Sequence, residues 1–389
     1  MTALSHFRIV ELSEGVSGEY CGKLLADFGA EVVKIERPGG SPTRALGPFK
    51  DDVAGPERSG LFAYLNTNKR SVVLDLETAE GQAMLFQLLA RADAVIDDHA
   101  PGWLKDHGLD LEAVEQRHPG LVVCAITPYG QAAPEDRAHA EDLTLIHASG
   151  WGYHTPSGAD PARPPLKGAG RFMASYEAGL EAAMCVAASL YGRTDTGRVI
   201  DISRQEVMAS RVDYVLGQMV AGDMDVDASR ARFDLGGPAG IFPCRQGFVY
   251  IWMSAPSHWE AVRQLLGDPA WMKAFPANWL ERGLTPERIA ECRRHIGDWL
   301  KTQDKDEAAA AAQTLGLTLV PVNDASDLVR SPQFQHRAFF AQVEHPTLGR
   351  ALYPTVPYKL SKTPARIARP APLLGQHGEE ALAALRVTA

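Results

Sequence analysis

Two short apolar runs, Phe7-Arg-Ile-Val-Glu-Leu12 and Glu31-Val-Val-Lys-Ile-Glu36, flank a helical pattern that sets Tyr20, Leu24, Leu25 and Phe28 on one face. Gly29 ends that pattern as a glycine that closes a helix does. Two strands joined through a helix pair in parallel with a right-handed crossover. This unit therefore commits the N-terminal part of the chain to a parallel sheet covered by helices. The pattern recurs. Ser71–Leu76 reads as a strand, Ala79–Ala90 as a helix, and Ala94–Ile96 and Leu121–Ile126 as further strands. The succession predicts a doubly wound α/β sheet.

A long apolar helix is predicted from about Tyr176 to Tyr191, broken by Gly192 and the Thr196-Gly197 pair. A strand Val199–Ile202 and a helix Gln205–Val220 follow. From about Asp223 to Gly236 the chain turns polar and irregular, which marks a boundary. Beyond it, a strand Gly247–Met253 and helices near Trp259–Leu266, Thr285–Thr302 and Glu307–Leu315 predict a smaller α+β domain. The tail from about Phe334 is Pro-rich and reads as extended, strand-poor chain that wraps rather than builds a core. The predicted division is a large domain of residues 1–222 and 334–389 and a small one of residues 223–333.

The 389 residues are 45% hydrophobic and 22% charged, an ordinary globular balance with a net charge of −9. That charge argues against bulk nucleic acid or an anionic membrane as partner. No apolar run approaches ~18 residues and the N-terminus lacks an apolar leader, so no membrane span or signal peptide is expected. The cysteines, Cys21, Cys124, Cys185, Cys244 and Cys292, are scattered, which fits a reducing cytoplasm.

Most chemical signatures are missing: G-x-G-x-x-G after the first strand, a phosphate-loop lysine motif, H-E-x-x-H and G-x-S-x-G. The 12 histidines show no metal-ligand spacing. What remains is a basic group after the second strand, Lys34, Arg37 and Arg44 around Pro38–Pro42, and a second at Lys69-Arg70. Ligands of a doubly wound sheet bind at strand ends, where such side chains can pair with phosphates, although a solvated patch has the same composition. His139, Glu141 and Asp142 precede an apolar segment. They suit acid–base work or, equally, a helix start. Ser175 reads as the N-cap of the long helix. Trp103, Trp151, Tyr153 and Phe172 suit either an aromatic acyl pocket or core packing.

Several stretches resemble the class III CoA-transferases, the family of formyl-CoA transferase, carnitine CoA-transferase and α-methylacyl-CoA racemase. They are Leu24–Gly40 with Pro42-Thr-Arg44, Asn66–Leu76 with Glu80-Gly81, Asp97–Gly102 through Leu109, and Thr196-Gly-Arg198 with Ile200–Ser203. Val320–Asn323, Ser331-Pro-Gln333, Val343–Pro346 and Leu374–His377 extend the likeness through the tail. The resemblance implies an α/β large domain built from both ends of the chain, a smaller inserted domain and an interlocked dimer, with a homologous or identical partner. It implies acyl-CoA and a carboxylic acid as substrates, with no metal. By position it implies coenzyme A contacts at Val16, Ser17, Lys34, Arg37, Arg44, Lys69 and Arg70. Asp98 and His99 fall where the family often has Asn-Phe.

In the transferases an aspartate at the start of the long helix forms a mixed anhydride and then an enzyme thioester. Here no carboxylate lies between Asp160 and Glu177, and the aspartate's place falls on Ser175 or Ala174. Glu141 stands where the racemase branch has a histidine, and Asp142 matches an acidic position of the family. Three readings follow. Glu177 or Glu141 replaces the aspartate in a CoA-transferase. Alternatively, Glu141 or Asp142 is the base of an acyl-CoA isomerase, racemase or lyase. Or the chain is a non-catalytic CoA-binding subunit. Glu177, two residues along a helix from Ser175, lies about 200° around its axis. For a lid, the glycines available are Gly236-Gly237 and Gly240.

Overall fold

The computed structural model describes residues 2–109, 114, 117, 118, 120–154, 170–192, 198–222 and 237–380. The Asp223–Gly236 boundary segment and the Thr196-Gly197 break are outside the described residues. Chain contacts divide the molecule into two units. One holds Met1–Thr155, Pro164–Met224 and Arg337–Ala389; the other holds Pro156–Arg163 and Asp225–His336.

The first unit is built on six strands: β1 (Arg8–Glu11), β2 (Glu31–Glu36), β3 (Arg70–Val73), β4 (Ala94–Asp97), β5 (Val122–Thr127) and β6 (Arg198–Ser203). Their order is β3-β2-β1-β4-β5-β6 and every pairing is parallel, as the strand–helix–strand pattern predicts. Between them run α1 (Val16–Asp27), α2 (Gly60–Leu65), α3 (Ala79–Leu89), α4 (Trp103–Asp106), α5 (Asp142–Ala148), α6 (Trp151–His154) and α7 (Met173–Tyr191). The two sheet faces carry separate cores. Ile9, Val32, Ile96, Cys124 and Ile126 pack with α1 and α7 on one side, and Val10, Val33, Val95 and Val123 pack with α3 on the other. Alternate residues of each strand go to opposite faces, so both faces need apolar residues, and the buried charges Glu11, Lys34, Glu36 and Asp97 lie in the C-terminal halves of β1, β2 and β4. Helices α1 and α7 approach closely at Gly179, where a Cβ would stand 2.5 Å from the Ser17 carbonyl oxygen.

Three expectations are corrected here. The predicted helix over Gln205–Val220 is two helices, α8 (Arg204–Ala209) and α9 (Asp213–Ala221), separated at Ser210–Val212. Ser175 is not an N-cap: α7 starts at Met173 with Phe172 before it, which places Ser175 inside the first turn. The tail is not strand-poor. It forms a hairpin in the first unit between two strands, Phe340–His345 and Gly349–Pro354. The His345 imidazole Nδ1 accepts the turn amides of Thr347 (3.1 Å) and Leu348 (3.2 Å), and Gly349 takes φ +71°. This loop lacks the Asn-Gly or Asp-Gly pair by which short hairpins are read.

The second unit is an antiparallel sheet of β7 (Gly240–Cys244), β8 (Gly247–Trp252) and β9 (Thr318–Val322), in the order β7-β8-β9. Helices α10 (Pro256–Leu266), α11 (Trp279–Arg282), α12 (Pro286–Leu300) and α13 (Lys305–Thr314) belong to it, followed by the short α14 (Ala325–Arg330) and α15 (Pro332–His336). Its core gathers Trp259, Phe275, Trp279, Ile296 and Leu300. Pro243 and Pro321 sit in the two outer strands, where a missing N–H breaks no ladder on the open side. The tail hairpin strands are β10 and β11 in chain order.

Candidate active site

In the order β3-β2-β1-β4-β5-β6 the chain leaves β1 and β4 in opposite directions, which opens a crevice beyond their C-terminal ends. Asp98, just after β4, fills the head of that crevice. Its carboxylate accepts the amides of Glu14 (2.9 Å), Gly15 (3.0 Å) and Gly18 (2.9 Å) and the Ser17 hydroxyl (3.0 Å). Burial raises the Asp98 carboxyl, but these backbone bonds and neighbouring His99 outweigh it and hold the group below its usual range. Glycine is required at position 18, since a Cβ there would lie 1.9 Å from the Ser13 hydroxyl. An internal carboxylate thus occupies the helix start where a dinucleotide fold would seat a pyrophosphate, consistent with the missing G-x-G-x-x-G. Val16 and Ser17 are buried in this turn.

Alongside, a cleft of about 480 Å³ is bounded by Leu12, Arg37, Leu74, Glu77, His99 and Trp103. His99 stacks on Trp103 at 3.7 Å between centroids, and Trp103 on His107 at 4.0 Å. Burial disfavours the His99 imidazolium. Its 2.6 Å bond to Asp97 and the nearby Glu14 prevail, raising it to about 9. Arg37 is 58% exposed, with a 3.3 Å contact to Glu14. The cleft therefore offers an exposed guanidinium and an imidazolium, together with the carboxylates of Glu14, Asp75 and Glu77.

The other cations of the sequence expectation lie elsewhere. Lys34 is wholly buried against Glu11 (3.2 Å) and Glu19 (2.9 Å). Lys69, equally buried, meets Glu11 at 2.7 Å and Asn66 at 2.8 Å. Arg44 forks onto Glu36 (2.7 and 2.9 Å), reaches Glu57 at 2.9 Å and lies over the Phe62 ring. Burial raises Glu36, yet Arg44 and Lys34 bring it down to about 2. To meet a phosphate each cation would have to abandon a buried carboxylate, so the phosphate role drawn from sequence does not suit Lys34, Lys69 or Arg44. Arg70 is half-buried and pairs with Glu31 at 3.5 Å and with Glu380 of the tail.

A second group forms where α5 meets the start of α7. Asp142 opens α5, but its carboxylate serves the other helix: it accepts the Ser175 amide and the Ser175 hydroxyl, both at 2.7 Å. Arg204, first residue of α8, donates to the Ser175 hydroxyl (3.2 Å) and to the Ala140 carbonyl (3.1 Å), and stands 3.6 Å from Asp142. Ser175 and Asp142 are buried. Next to them a cleft of about 420 Å³ is lined by Asp98, His99, His139, Glu141, Thr144 and Arg204. Glu141 is exposed there and makes no ion pair among the described residues. Glu177 is turned away, bound to Arg211 at 3.2 Å, as the 200° offset along the helix requires.

His99 thus borders both clefts, while Asp98, Glu141 and Arg204 belong to the second alone. Trp103 lines the first cleft. Trp151 donates from Nε1 to the Met208 carbonyl at 3.0 Å, a packing role. Phe172 lies under Arg171. The Tyr153 side chain and Gly236 lie outside the described residues. Arg204 was not singled out in the sequence, although it directly follows β6, and ligand-binding residues of such sheets sit at strand ends. The described residues contain no group of three or more His, Cys, Asp or Glu placed to hold a metal, and no helix among them is long and apolar enough to cross a membrane.

The first unit is thus a doubly wound α/β sheet with a crevice at its strand ends, and the second unit is inserted in its chain. The model of CoA-transferase family III matches residues 4–378, and the chain belongs to that family. It is 30% identical to a formyl-CoA:oxalate CoA-transferase of Bradyrhizobium sp. (strain ORS 278), over 98% of this chain and 92% of that protein. It is 30% identical to a succinyl-CoA–D-citramalate CoA-transferase of Chloroflexus aurantiacus, over 97% and 92%. It is 28% identical to the BbsE subunit of succinyl-CoA:(R)-benzylsuccinate CoA-transferase of Thauera aromatica, over 97% and 93%. Among solved structures, a CAIB/BAIF family protein from Brucella suis superposes with a TM-score of 0.83 at 25% identity, covering 99% of both chains.

Proposed function

We propose that this chain transfers coenzyme A between an acyl-CoA and a carboxylic acid, with Glu141 in place of the aspartate usual in the family. The observation that carries this reading is Glu141 itself: an exposed carboxylate on the wall of the second cleft, close in sequence to Asp142, which holds the start of α7. Ser175 has hydroxyl and amide engaged by Asp142, and Glu177 is bound to Arg211. In this mechanism Glu141 attacks the thioester carbonyl, forms a mixed anhydride and releases CoA thiolate. The thiolate then attacks the Glu141 carbonyl of the anhydride, giving an enzyme thioester and releasing the donor carboxylate. The acceptor carboxylate attacks that thioester to form a second anhydride and CoA thiolate, and the thiolate takes the acceptor acyl group as acyl-CoA and restores Glu141. The adenine ring lies in the first cleft, Arg37 meets a phosphate, and the Val16–Ser17 turn with Asp98 and His99 borders the pantetheine. A base role for Glu141 in acyl-CoA isomerisation uses the same residue without a covalent step.

A second reading is favoured by Ser175. With the family acid missing and its place capped by Asp142, the chain acts as the CoA-binding subunit beside an aspartate-bearing homologue. Oligomerisation is supported by exposed apolar side chains on α7 and α9: Leu180, Met184, Tyr191, Leu216, Met219 and Val220. We place the chain in the cytoplasm as an interlocked dimer with a large domain of residues 1–222 and 334–389 and a small domain of residues 223–333. The test is incubation of the purified chain with a panel of acyl-CoAs and isotope-labelled acids, read by mass spectrometry. Labelled acyl-CoA from wild type and none from Glu141→Gln is the expected result. Label from both variants removes Glu141 as the acid, and label from neither turns attention to isomerised thioesters or to a partner subunit.

A further inference from the structure

Arg204 carries more hydrogen-bonding capacity than its neighbours use. A guanidinium has five N–H donors. Among the described residues Nη1 donates to the Ser175 hydroxyl and Nη2 to the Ala140 carbonyl, while the contact with Asp142 is 3.6 Å, longer than a hydrogen bond. Nε is buried with no acceptor among the described residues. Leaving such a donor unmatched is unfavourable, so its natural complement is an acceptor that arrives with a ligand.

The surroundings say what kind of ligand. Arg204 lines the cleft that also holds Glu141 and His139. His99, which also lines it, is already bonded to Asp97. Asp142 and Glu141 both lie close by, so an incoming anion would be repelled unless a cation stood among them. Arginine suits that task because its planar fork matches a carboxylate with two parallel bonds. The start of α7 adds a favourable field, although Asp142 already takes up the Ser175 amide there.

We propose that Arg204 binds the carboxylate of the acid substrate and so holds it beside Glu141. This rests on the reading of the chain as a CoA-transferase. It assigns acid selection to a residue that neither the sequence motifs nor the buried cation network contains.

The test is a titration of the full-length chain with succinate and with its neutral isostere succinamide, followed by ligand-observed NMR, in wild type, Arg204→Gln and Arg204→Lys. Coenzyme A is titrated in parallel, and near-UV circular dichroism reports folding. Wild type should prefer succinate over succinamide. Arg204→Gln should lose that preference with a roughly tenfold or greater weakening for succinate, the scale of one charge-assisted bond, and Arg204→Lys should retain part of it. A merely structural role would weaken both ligands alike. Equal succinate affinity in wild type and Arg204→Gln, or no preference for succinate in wild type, overturns the proposal. Should Arg204→Gln fail to fold, the succinate preference of the Lys variant decides: a preference undiminished from wild type overturns the assignment. Loss of coenzyme A binding in wild type counts against the transferase reading and leaves the succinate comparison to judge Arg204 separately.

Discussion

At the scale of single residues, the molecule separates charges that look alike in sequence. Lys34, Arg37, Arg44 and Lys69 form one basic pattern along the chain, yet only Arg37 among these four lines the first cleft, while the other three are buried against carboxylates. Removing one partner of a buried pair strands the other charge, which costs about 3–5 kcal/mol. Arg44→Ala should therefore lower stability by that amount in urea denaturation and leave the coenzyme A affinity of the folded protein unchanged. Arg37→Ala should do the reverse, weakening coenzyme A with little effect on the denaturation midpoint. The distinction was hidden from sequence reasoning because burial depends on Glu11, Glu19 and Glu36, whose alternation along β1, α1 and β2 reads as ordinary surface charge. Glu141 was legible as a candidate, since an acid before an apolar helix invites both structural and chemical readings. Its separation from Asp142 was not legible: the two are neighbours in sequence, but one is buried under Ser175 and the other lies open in the cleft.

At the scale of elements, the β1–α1 turn is organised by a residue from the end of β4. Asp98 collects three backbone amides and a hydroxyl, so Asp98→Ala should release them together. Hydrogen exchange of the Glu14, Gly15 and Gly18 amides is the measurement, with faster exchange confined to this turn as the expected result. Next to it, His99 gives a pH signature. Its folded pKa is raised to about 9 from an ordinary 6.5, so the stabilisation it provides is complete below about pH 6.5 and is lost as pH rises through 9. Unfolding free energy measured from pH 6.5 to 9.5 should fall by about 1–3 kcal/mol in wild type, and His99→Gln should flatten that slope. The strands and helices around this turn were readable because each carries its own period. The hairpin of β10 and β11 was not, because a His345 side chain, rather than a turn signature in the sequence, satisfies its loop amides.

At the scale of the whole molecule, the repeated strand–helix–strand pattern was enough to predict the parallel sheet, and the strand order then places the crevice beyond β1 and β4. The edge strands of the second unit were harder to see, since proline in β7 and β9 disguises them. In the proposed dimer the exposed apolar side chains on α7 lie at the interface. Leu180→Glu with Met184→Glu should shift the native mass toward a single chain, measured by light scattering; an unchanged mass would remove this face from the interface.

Glu141 is the acid proposed to carry CoA. Its most direct test is to incubate the chain with acyl-CoA, reduce with borohydride, digest, and locate by peptide mass spectrometry any carboxyl converted to an alcohol. Reduction at Glu141, dependent on acyl-CoA and abolished in Glu141→Gln, is the predicted result. Reduction at another carboxylate, or at none while transfer proceeds, would contradict the account.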